Sequence, residues 1–124
     1  MNNKQLYDCA IIGGGLGGLT LAINLSRQGY SVVLFEKEQY PFHKVCGEYI
    51  SMESWPYLES LGLPLSSMNL PVIKKLIVTS PDGNTLSQEL PLGGFGISRN
   101  LIDYSLMKIA KEAGVTVMEH CKAE

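Results

Sequence analysis

The stretch that decides the fold is residues 8–36, which read DCAIIGGGLGGLTLAINLSRQGYSVVLFE. An apolar run from Leu6 to Ile12 stops at three glycines, which predicts a buried parallel strand. Apolar residues at helical spacing follow as far as Gly29, a residue type that commonly ends a helix. The β-branched and aromatic run from Tyr30 to Phe35 predicts a second strand. Together these elements predict a βαβ unit over residues 6–36, whose two strands are parallel.

Outward from this unit the patterns are looser. Residues 37–64 predict a loop followed by a short helix, and residues 72–90 predict an inserted antiparallel hairpin that turns at an Asp-Gly step. The glycine-rich segment 92–96 reads as a connector, and residues 98–119 predict a helix and a third parallel strand. We therefore expect an α/β fold in one domain, with a Rossmann-like parallel sheet and the inserted hairpin.

Composition and charge exclude several classes of protein. The 124 residues are 45% hydrophobic and 18% charged, as in ordinary globular domains, and no apolar run approaches the ~20 residues of a transmembrane segment. A net charge of -2 without a basic stripe argues against nucleic-acid binding. The first residues contain no secretory leader, so we expect a cytoplasmic protein. Cys9, Cys46 and Cys121 lack metal-ligand spacing, which predicts reduced thiols and no metal site.

The glycines between the first strand and the helix are the first candidate site. Gly13, Gly15 and Gly18 satisfy the pattern G-x-G-x-x-G, which in this context is typical of a dinucleotide-binding turn. Gly13 would make the tight turn, Gly15 would let a pyrophosphate approach the backbone, and Gly18 would let the helix pack closely on the strands. The helix that begins near Leu16 would present free N–H groups and its positive dipole end to the phosphates.

Glu36 ends the second strand, where a carboxylate can accept hydrogen bonds from the ribose hydroxyls of an adenosine and repel a 2'-phosphate. The alternative is a plain strand-to-helix turn with a solvated acid at the strand end. For the ribose contact we expect Glu36→Ala to cost cofactor affinity but not folding, because a carboxylate at a strand end adds little to the core. The pattern by itself serves both NAD and FAD, so an NAD-binding dehydrogenase domain also stays open.

Three motifs in this chain resemble those of a known family. The segment DCAIIGGGLGGLTLAINLSRQGYSVVLFE resembles the N-terminal FAD-binding segment of glutathione-reductase-type flavoproteins, which include flavin-dependent hydroxylases, halogenases and geranylgeranyl reductases. The segment PFHKVCGE at 41–48 is similar to the K-x-C-G-E element of the geranylgeranyl reductase branch. Ile97-Ser98-Arg99, followed by Ile102-Asp103 and Leu106, resembles the S-R-x-x-L-D-x-x-L helix start of that branch and of the hydroxylases.

The resemblance implies a set of FAD-binding residues. The pyrophosphate would be lined by Gly13, Gly14, Gly15, Leu16 and Gly17, and Gly18 completes their motif. Glu36 would hold the ribose, and Lys37 would flank the adenine. The loop through Lys44, Cys46 and Gly47 would run past the flavin, and Arg99 would reach the cofactor from its helix. The later G-D motif of the family and most of its substrate domain have no counterpart here, so by this resemblance the Rossmann-like fold looks truncated. Position alone leaves a structural role for Cys46 equally open, and Arg99 with Asp103 also reads as an exposed ion pair.

The resemblance implies an FAD-dependent oxidoreductase, with saturation of an isoprenoid chain as the first expectation and aromatic hydroxylation or halogenation as the second. NAD(P)H or another reductant would supply electrons, and the substrate would be a small isoprenoid or aromatic molecule. No residue is assigned to catalysis. A third expectation is a nucleotide-binding fragment without activity. For the 124-residue piece alone we expect no bound flavin and self-association, because an open sheet exposes an unpaired edge and an apolar face.

Overall fold

The computed structural model describes residues 5–124, so Met1–Lys4, the first part of the segment examined for a leader, lie outside it. Two compact units divide the chain. One holds the chain up to Val45 together with Arg99–Glu124, and the other holds Cys46–Ser98. The first contains a parallel sheet with helices and the second an antiparallel sheet, so the expectation of an α/β fold with a Rossmann-like sheet is confirmed.

The strands of the first unit are β1 (Cys9–Ile12), β2 (Val32–Phe35) and β6 (Thr116–Met118), and its helices are α1 (Leu16–Arg27) and α3 (Arg99–Glu112). The three strands are parallel in the order β1-β2-β6, with Leu34 opposite Ile11 on one side and Val117 on the other. Because β2 is central, Val32, Val33 and Leu34 are all buried, which explains a strand without polar alternation.

The two helices pack against each other and against this sheet. Their buried residues recur at helical spacing: Leu19, Ala22 and Ile23 in α1, and Ile102, Asp103, Leu106, Met107 and Ala110 in α3. On β1, Ile11 points into this core, whereas the next residue, Ile12, is 73% exposed. Successive side chains on β1 therefore point alternately into the core and toward an open face of the sheet.

The second unit contains β3 (Tyr49–Ser51), α2 (Trp55–Leu61), β4 (Val72–Thr79) and β5 (Thr85–Gly96), with short 3-10 turns at Met52–Ser54 and Leu65–Ser67. The sheet is antiparallel in the order β3-β5-β4, and the predicted hairpin turns between β4 and β5 with Gly83 at φ 82°. A bulge separates the pairings of Ile73 and Lys75. The hairpin turn uses the conformation that an Asp-Gly step favours.

The glycine-rich segment 92–96 is not a connector, because β5 continues through it to Gly96. At Gly94 the ring of Tyr49 and the carbonyl of Ile50 occupy the space that a Cβ would need. The glycine thus lets β3 approach β5 closely. The neighbouring Phe95 is fully buried and meets Trp55 edge to face, with ring centroids 4.9 Å apart. These glycines are part of the sheet of the second unit.

None of the helices within residues 5–124 is long and apolar enough to cross a membrane.

Candidate functional site

The glycine loop between β1 and α1 begins with a turn that requires glycine. Gly13 has φ 99°, in the left-handed region that L residues rarely adopt, and its N–H donates to the carbonyl of Phe35 at 2.8 Å. At Gly18, one turn into the helix, an added Cβ would lie far inside contact distance of the Gly13 carbonyl oxygen. Gly13 is therefore required by its backbone conformation, and Gly18 by the close approach of the helix to the loop.

Gly14 lies on the protein side of the loop and is buried. Its N–H donates to Oε2 of Glu36 at 2.8 Å, and its carbonyl accepts a hydrogen bond from the hydroxyl of Tyr40. An added Cβ at Gly14 would overlap that hydroxyl and come within 3.1 Å of the side chains of Glu36 and Leu34. Packing alone thus accounts for glycine at position 14, and the N–H of Gly14 points toward protein.

The N-terminus of α1 has unused hydrogen-bond donors. Gly15 is the N-cap residue, and neither a side-chain cap nor an acidic residue occupies the first turn. Leu19 is the first residue whose N–H donates to a carbonyl one turn back, that of Gly15, at 2.9 Å. The N–H groups of residues 15–18 therefore have no partner within the helix, and they carry the positive end of its dipole.

Two cationic side chains flank Gly15. A Cβ built on Gly15 would be 3.4 Å from Nη2 of Arg99 and 3.8 Å from Nζ of Lys44. Gly15 itself has extended backbone angles, φ -82° and ψ -171°, which any residue adopts. Glycine at this position is therefore not required by the backbone angles. Its missing side chain leaves open space beside the two cations. The loop thus combines local positive charge with free N–H donors, the features of an anion site, in a chain with a net charge of -2.

The Arg99 side chain is oriented by Asp103, one turn along α3. Nε and Nη2 of Arg99 each donate to one carboxylate oxygen of Asp103, both at 2.9 Å. Asp103 is only 2% exposed, so the exposed ion pair that the spacing also allowed is wrong. A bidentate pair in a buried position holds the guanidinium plane in one orientation.

Glu36 is buried, and it accepts hydrogen bonds from two backbone groups. Oε2 accepts from Gly14, and Oε1 accepts from the N–H of Glu38 at 3.0 Å. The alternative of a solvated acid at the strand end is therefore wrong. Because a buried carboxylate that satisfies two N–H groups also stabilises the loop, the structure argues against the expectation that Glu36→Ala leaves folding unchanged. Each carboxylate oxygen still has further lone-pair capacity for a ligand.

A cleft of about 270 Å³ opens beside these groups in the first unit. Its lining residues are Ile12, Gly13, Gly15, Phe35, Glu36, Lys37, Lys44, Cys121, Lys122 and Ala123. The cleft brings together five of the residues expected at the cofactor, and Arg99 lies beside Gly15. Leu16, Gly17 and Gly18 form the first turn of α1. The segment 121–123 was missed, since it follows a short strand without any recognisable pattern.

Cys46 and Gly47 belong to the second unit, whereas the glycine loop belongs to the first. Cys46 is exposed, and its sulfur accepts a hydrogen bond from the N–H of Glu48 at 3.4 Å. Their predicted position beside a flavin stays a prediction. Within the part of the chain that the structure describes, no three metal-ligating side chains converge.

Sequence reasoning also missed Tyr40, the residue beneath the glycine loop. Burial raises the pKa of its hydroxyl above the ordinary value of 10.0, and the negative charges of Glu36, Asp103 and Glu119 raise it further. The hydroxyl is therefore held as a neutral hydrogen-bond donor to the Gly14 carbonyl. A tyrosine shortly after the acidic strand end carries no motif by which it could have been found.

Comparisons with known proteins identify a matching family model and several relatives of this chain. Residues 11–45 match the family model of the NAD(P)-binding Rossmann-like domain. A digeranylgeranylglycerophospholipid reductase of Methanothermobacter thermautotrophicus is 32% identical over 115 residues, covering 90% of this chain and 29% of that protein. An FAD-dependent monooxygenase of Emericella nidulans is 33% identical over 92 residues, covering 72% of this chain and 19% of the relative. The homologues thus include FAD-dependent oxidoreductases.

Conditioned medium factor receptor 1 of Dictyostelium discoideum is 26% identical over 146 residues, covering 99% of this chain and 27% of that protein. The chain spans less than a third of the length of these three curated relatives.

Solved structures share the fold. The flavin-dependent brominase Bmp2 is 27% identical, with a TM-score of 0.74 over 90% of this chain and 28% of that one. A geranylgeranyl bacteriochlorophyll reductase-like protein of Thermoplasma acidophilum, at 22% identity and a TM-score of 0.74, matches 92% of this chain and 30% of that one. The second likeness concerns the fold alone.

Proposed function

We propose that this chain binds the adenosine diphosphate half of FAD and forms the cofactor-binding part of an FAD-dependent oxidoreductase. One observation carries the proposal: the uncapped N-terminus of α1 meets Arg99 and Lys44 at Gly15, beside the cleft that Glu36 lines. A pyrophosphate needs N–H donors and positive charge, and a ribose needs a carboxylate acceptor. All three are found within the first unit, so the donor set fits the cofactor.

Each residue has a role in this proposal. The N–H groups at the start of α1 and the cations of Lys44 and Arg99 hold the phosphates, and Glu36 accepts from the ribose. Lys37 and the segment 121–123 line the adenosine side of the cleft. The bound flavin supplies the hydride or oxygen chemistry, and the protein supplies binding and orientation. Cys46 and Gly47 remain proposed neighbours of the flavin.

Among oxidoreductases, we propose reduction of an isoprenoid chain, with electrons from NAD(P)H or another reductant. The support is the K-x-C-G-E element around Cys46 and the similarity to digeranylgeranylglycerophospholipid reductases along 90% or more of this chain. The second candidate is oxygen-dependent hydroxylation or halogenation, which the similarity to a monooxygenase and to the brominase Bmp2 favours. Cofactor binding without turnover is the third.

The cofactor assignment is tested by a flavin-fluorescence titration of the complete protein and its Gly15→Val variant. The valine side chain would occupy the space beside Arg99 and Lys44, so we expect FAD binding to be lost while the fold, followed by circular dichroism, is retained. Lys44→Ala should weaken binding up to about fivefold, as for an exposed charge, and should reduce its salt dependence. Lys74→Ala, an exposed lysine of the second unit, is the matched control and should bind as the unmodified protein does. Unchanged affinity in Gly15→Val would contradict the site.

The choice of reaction is tested without oxygen. The complete protein, FAD, a chemical reductant and a geranylgeranyl lipid are incubated anaerobically, and the product is examined by mass spectrometry. Isoprenoid reduction adds a pair of hydrogens to each reduced double bond and needs no oxygen. A product that forms only with oxygen would instead support hydroxylation or halogenation, and FAD binding without any product would support a binding module.

A further inference from the structure

Both backbone polar groups of Gly14 are satisfied by side chains from the segment that follows β2. The carboxylate of Glu36 accepts from the Gly14 N–H at 2.8 Å, and the Tyr40 hydroxyl donates to the Gly14 carbonyl. Two buried side chains therefore hold one residue of the glycine loop from the protein side. A buried backbone group that is left without such a partner is costly, which makes this arrangement strongly preferred.

Tyr40 is itself fixed in three ways. Its side chain is 6% exposed, its ring contacts that of Phe42 with centroids 5.3 Å apart, and its backbone N–H donates to Oε1 of Glu119 at 2.8 Å. Glu119 directly follows β6, so the third strand of the sheet is connected through Tyr40 to the glycine loop. The hydroxyl thus reaches Gly14 from a rigid support.

The peptide bond between Gly14 and Gly15 couples the direction of the Gly14 carbonyl to the direction of the Gly15 N–H at the candidate phosphate site. A trans peptide places its C=O and N–H on opposite sides, and the only cis bond within residues 5–124 is Tyr40–Pro41. When the Gly14 carbonyl turns toward Tyr40, the Gly15 N–H therefore turns away from the protein. We propose that Tyr40 is a positioning residue of the nucleotide site, whose hydroxyl orients the Gly15 N–H toward the phosphates of the bound nucleotide.

This inference rests on the proposed cofactor site and adds a residue that makes no contact with the ligand. Without the hydroxyl, the Gly14–Gly15 peptide loses the bond that selects its orientation, and the N–H of Gly15 is no longer held outward. ADP and FAD share the pyrophosphate, so we expect both to bind about tenfold more weakly to Tyr40→Phe. The variant keeps the ring and its contact with Phe42.

Tyr7→Phe is the matched control for the experiment. The Tyr7 hydroxyl is also part-buried in the first unit and donates to Oγ1 of Thr116 at 3.2 Å, but it does not touch the glycine loop. Binding of ADP and FAD to the complete protein is measured by calorimetry, well below the unfolding temperature of each variant. We expect Tyr40→Phe to lose affinity and Tyr7→Phe to keep it, whatever stability either variant loses.

Two further measurements separate positioning from general stability. In 15N-labelled protein the Gly15 amide resonance should shift on addition of ADP, and this shift should shrink in Tyr40→Phe but not in Tyr7→Phe. In addition, Gly14→Ala should cost less stability when combined with Tyr40→Phe, because the added methyl group overlaps the tyrosine hydroxyl.

Equal ADP affinity in Tyr40→Phe and the unmodified protein, with the Gly15 shift retained, would overturn the inference and leave the cofactor site standing. Equal losses in Tyr40→Phe and Tyr7→Phe would also overturn it, in favour of a purely structural role. If the unmodified protein bound neither ADP nor FAD, the proposed function would fail and the inference with it.

Discussion

The guanidinium of Arg99 donates two hydrogen bonds of 2.9 Å to the carboxylate of Asp103, and this pair lies between the core of the first unit and the glycine loop. Asp103 is 2% exposed, whereas Nη2 of Arg99 is 3.4 Å from the Cβ position of Gly15. The carboxylate is thus buried on the α3 side, and the cation faces the candidate phosphate site.

Asp103→Asn should therefore destabilise the protein. Loss of the charge from this part-buried, hydrogen-bonded pair should cost about 1 to 3 kcal/mol in the free energy of unfolding, which urea denaturation measures. Lys111→Ala is the control: Lys111 pairs with Glu119 at 3.5 Å and is exposed, so its loss should cost less than about 1 kcal/mol. Equal effects of the two substitutions would show that the Asp103 pair is no more important than a surface pair.

Glu36→Ala should lower both FAD affinity and stability. The buried carboxylate accepts from the N–H groups of Gly14 and Glu38, and a buried donor left unsatisfied costs about 1 to 3 kcal/mol. Chemical denaturation and a flavin titration measure the two effects. Glu38→Ala, which removes an exposed carboxylate two residues away, should change neither. A Glu36→Ala variant of unchanged stability would show that the two hydrogen bonds of this buried carboxylate contribute nothing to folding.

Alkaline pH should destabilise the protein through Tyr40. The hydroxyl pKa is raised in the folded state, chiefly by burial, so between pH 10 and that raised pKa the unfolded chain releases a proton that the folded chain keeps. Stability is fully present below pH 10 and falls above it, by up to about 1.4 kcal/mol per pH unit. Urea denaturation from pH 8 upward measures the slope. In Tyr40→Phe this contribution should disappear, and an identical slope would refute it.

Two glycines in the first turn of α1, Gly17 and Gly18, should respond oppositely to substitution by alanine. At Gly18 the added Cβ meets the Gly13 carbonyl, which belongs to the backbone and cannot move aside, so Gly18→Ala should unfold or strongly destabilise the protein. At Gly17 an added Cβ meets nothing within 4 Å, and alanine is the better helix former by up to about 1 kcal/mol. Gly17→Ala should therefore raise the melting temperature, and a loss at both positions would contradict this difference in the space around the two glycines.

The isolated 124-residue chain should self-associate and carry no flavin. Ile12 is 73% exposed on the open side of β1, next to an apolar groove of about 290 Å³ that also includes Ala10 and Phe35. An exposed apolar sheet face favours association. Size-exclusion chromatography with light scattering measures the mass, and absorbance measures the flavin. A monomer with stoichiometric FAD would contradict this expectation.

The βαβ unit could be predicted because its signals are local. An apolar run, a glycine turn, helical spacing and a β-branched run each act within a few residues, and the order of these elements implies parallel pairing. The antiparallel hairpin was predictable for the same reason, from the Asp-Gly step between two strand patterns. The structure has both, with β1 shorter than the predicted run because pairing begins at Cys9.

Other features depend on partners that are distant in sequence. Tyr40 contacts Gly14 and Glu119 across 26 and 79 residues, and no local pattern signals either contact. The spacing of Arg99 and Asp103 is the same for a buried pair as for an exposed one. From the sequence pattern alone, Gly94 was predicted to lie in a loop. The reason for this glycine is its contact with the ring of Tyr49, which lies on a separate three-residue strand.

Under the proposed function, the missing side-chain cap at the start of α1 ties the stability of the protein to the concentration of its nucleotide ligand. Most helices satisfy their first N–H groups with a serine, threonine or acidic side chain, and Gly15 supplies none. A bound nucleotide would fill that place, so it acts as part of the folded structure and shifts the unfolding equilibrium by mass action. At about a hundred times its dissociation constant, such a ligand adds about 2.7 kcal/mol. If the nucleotide binds as proposed, the melting temperature of the protein therefore keeps rising with the free ligand concentration even after the site is saturated.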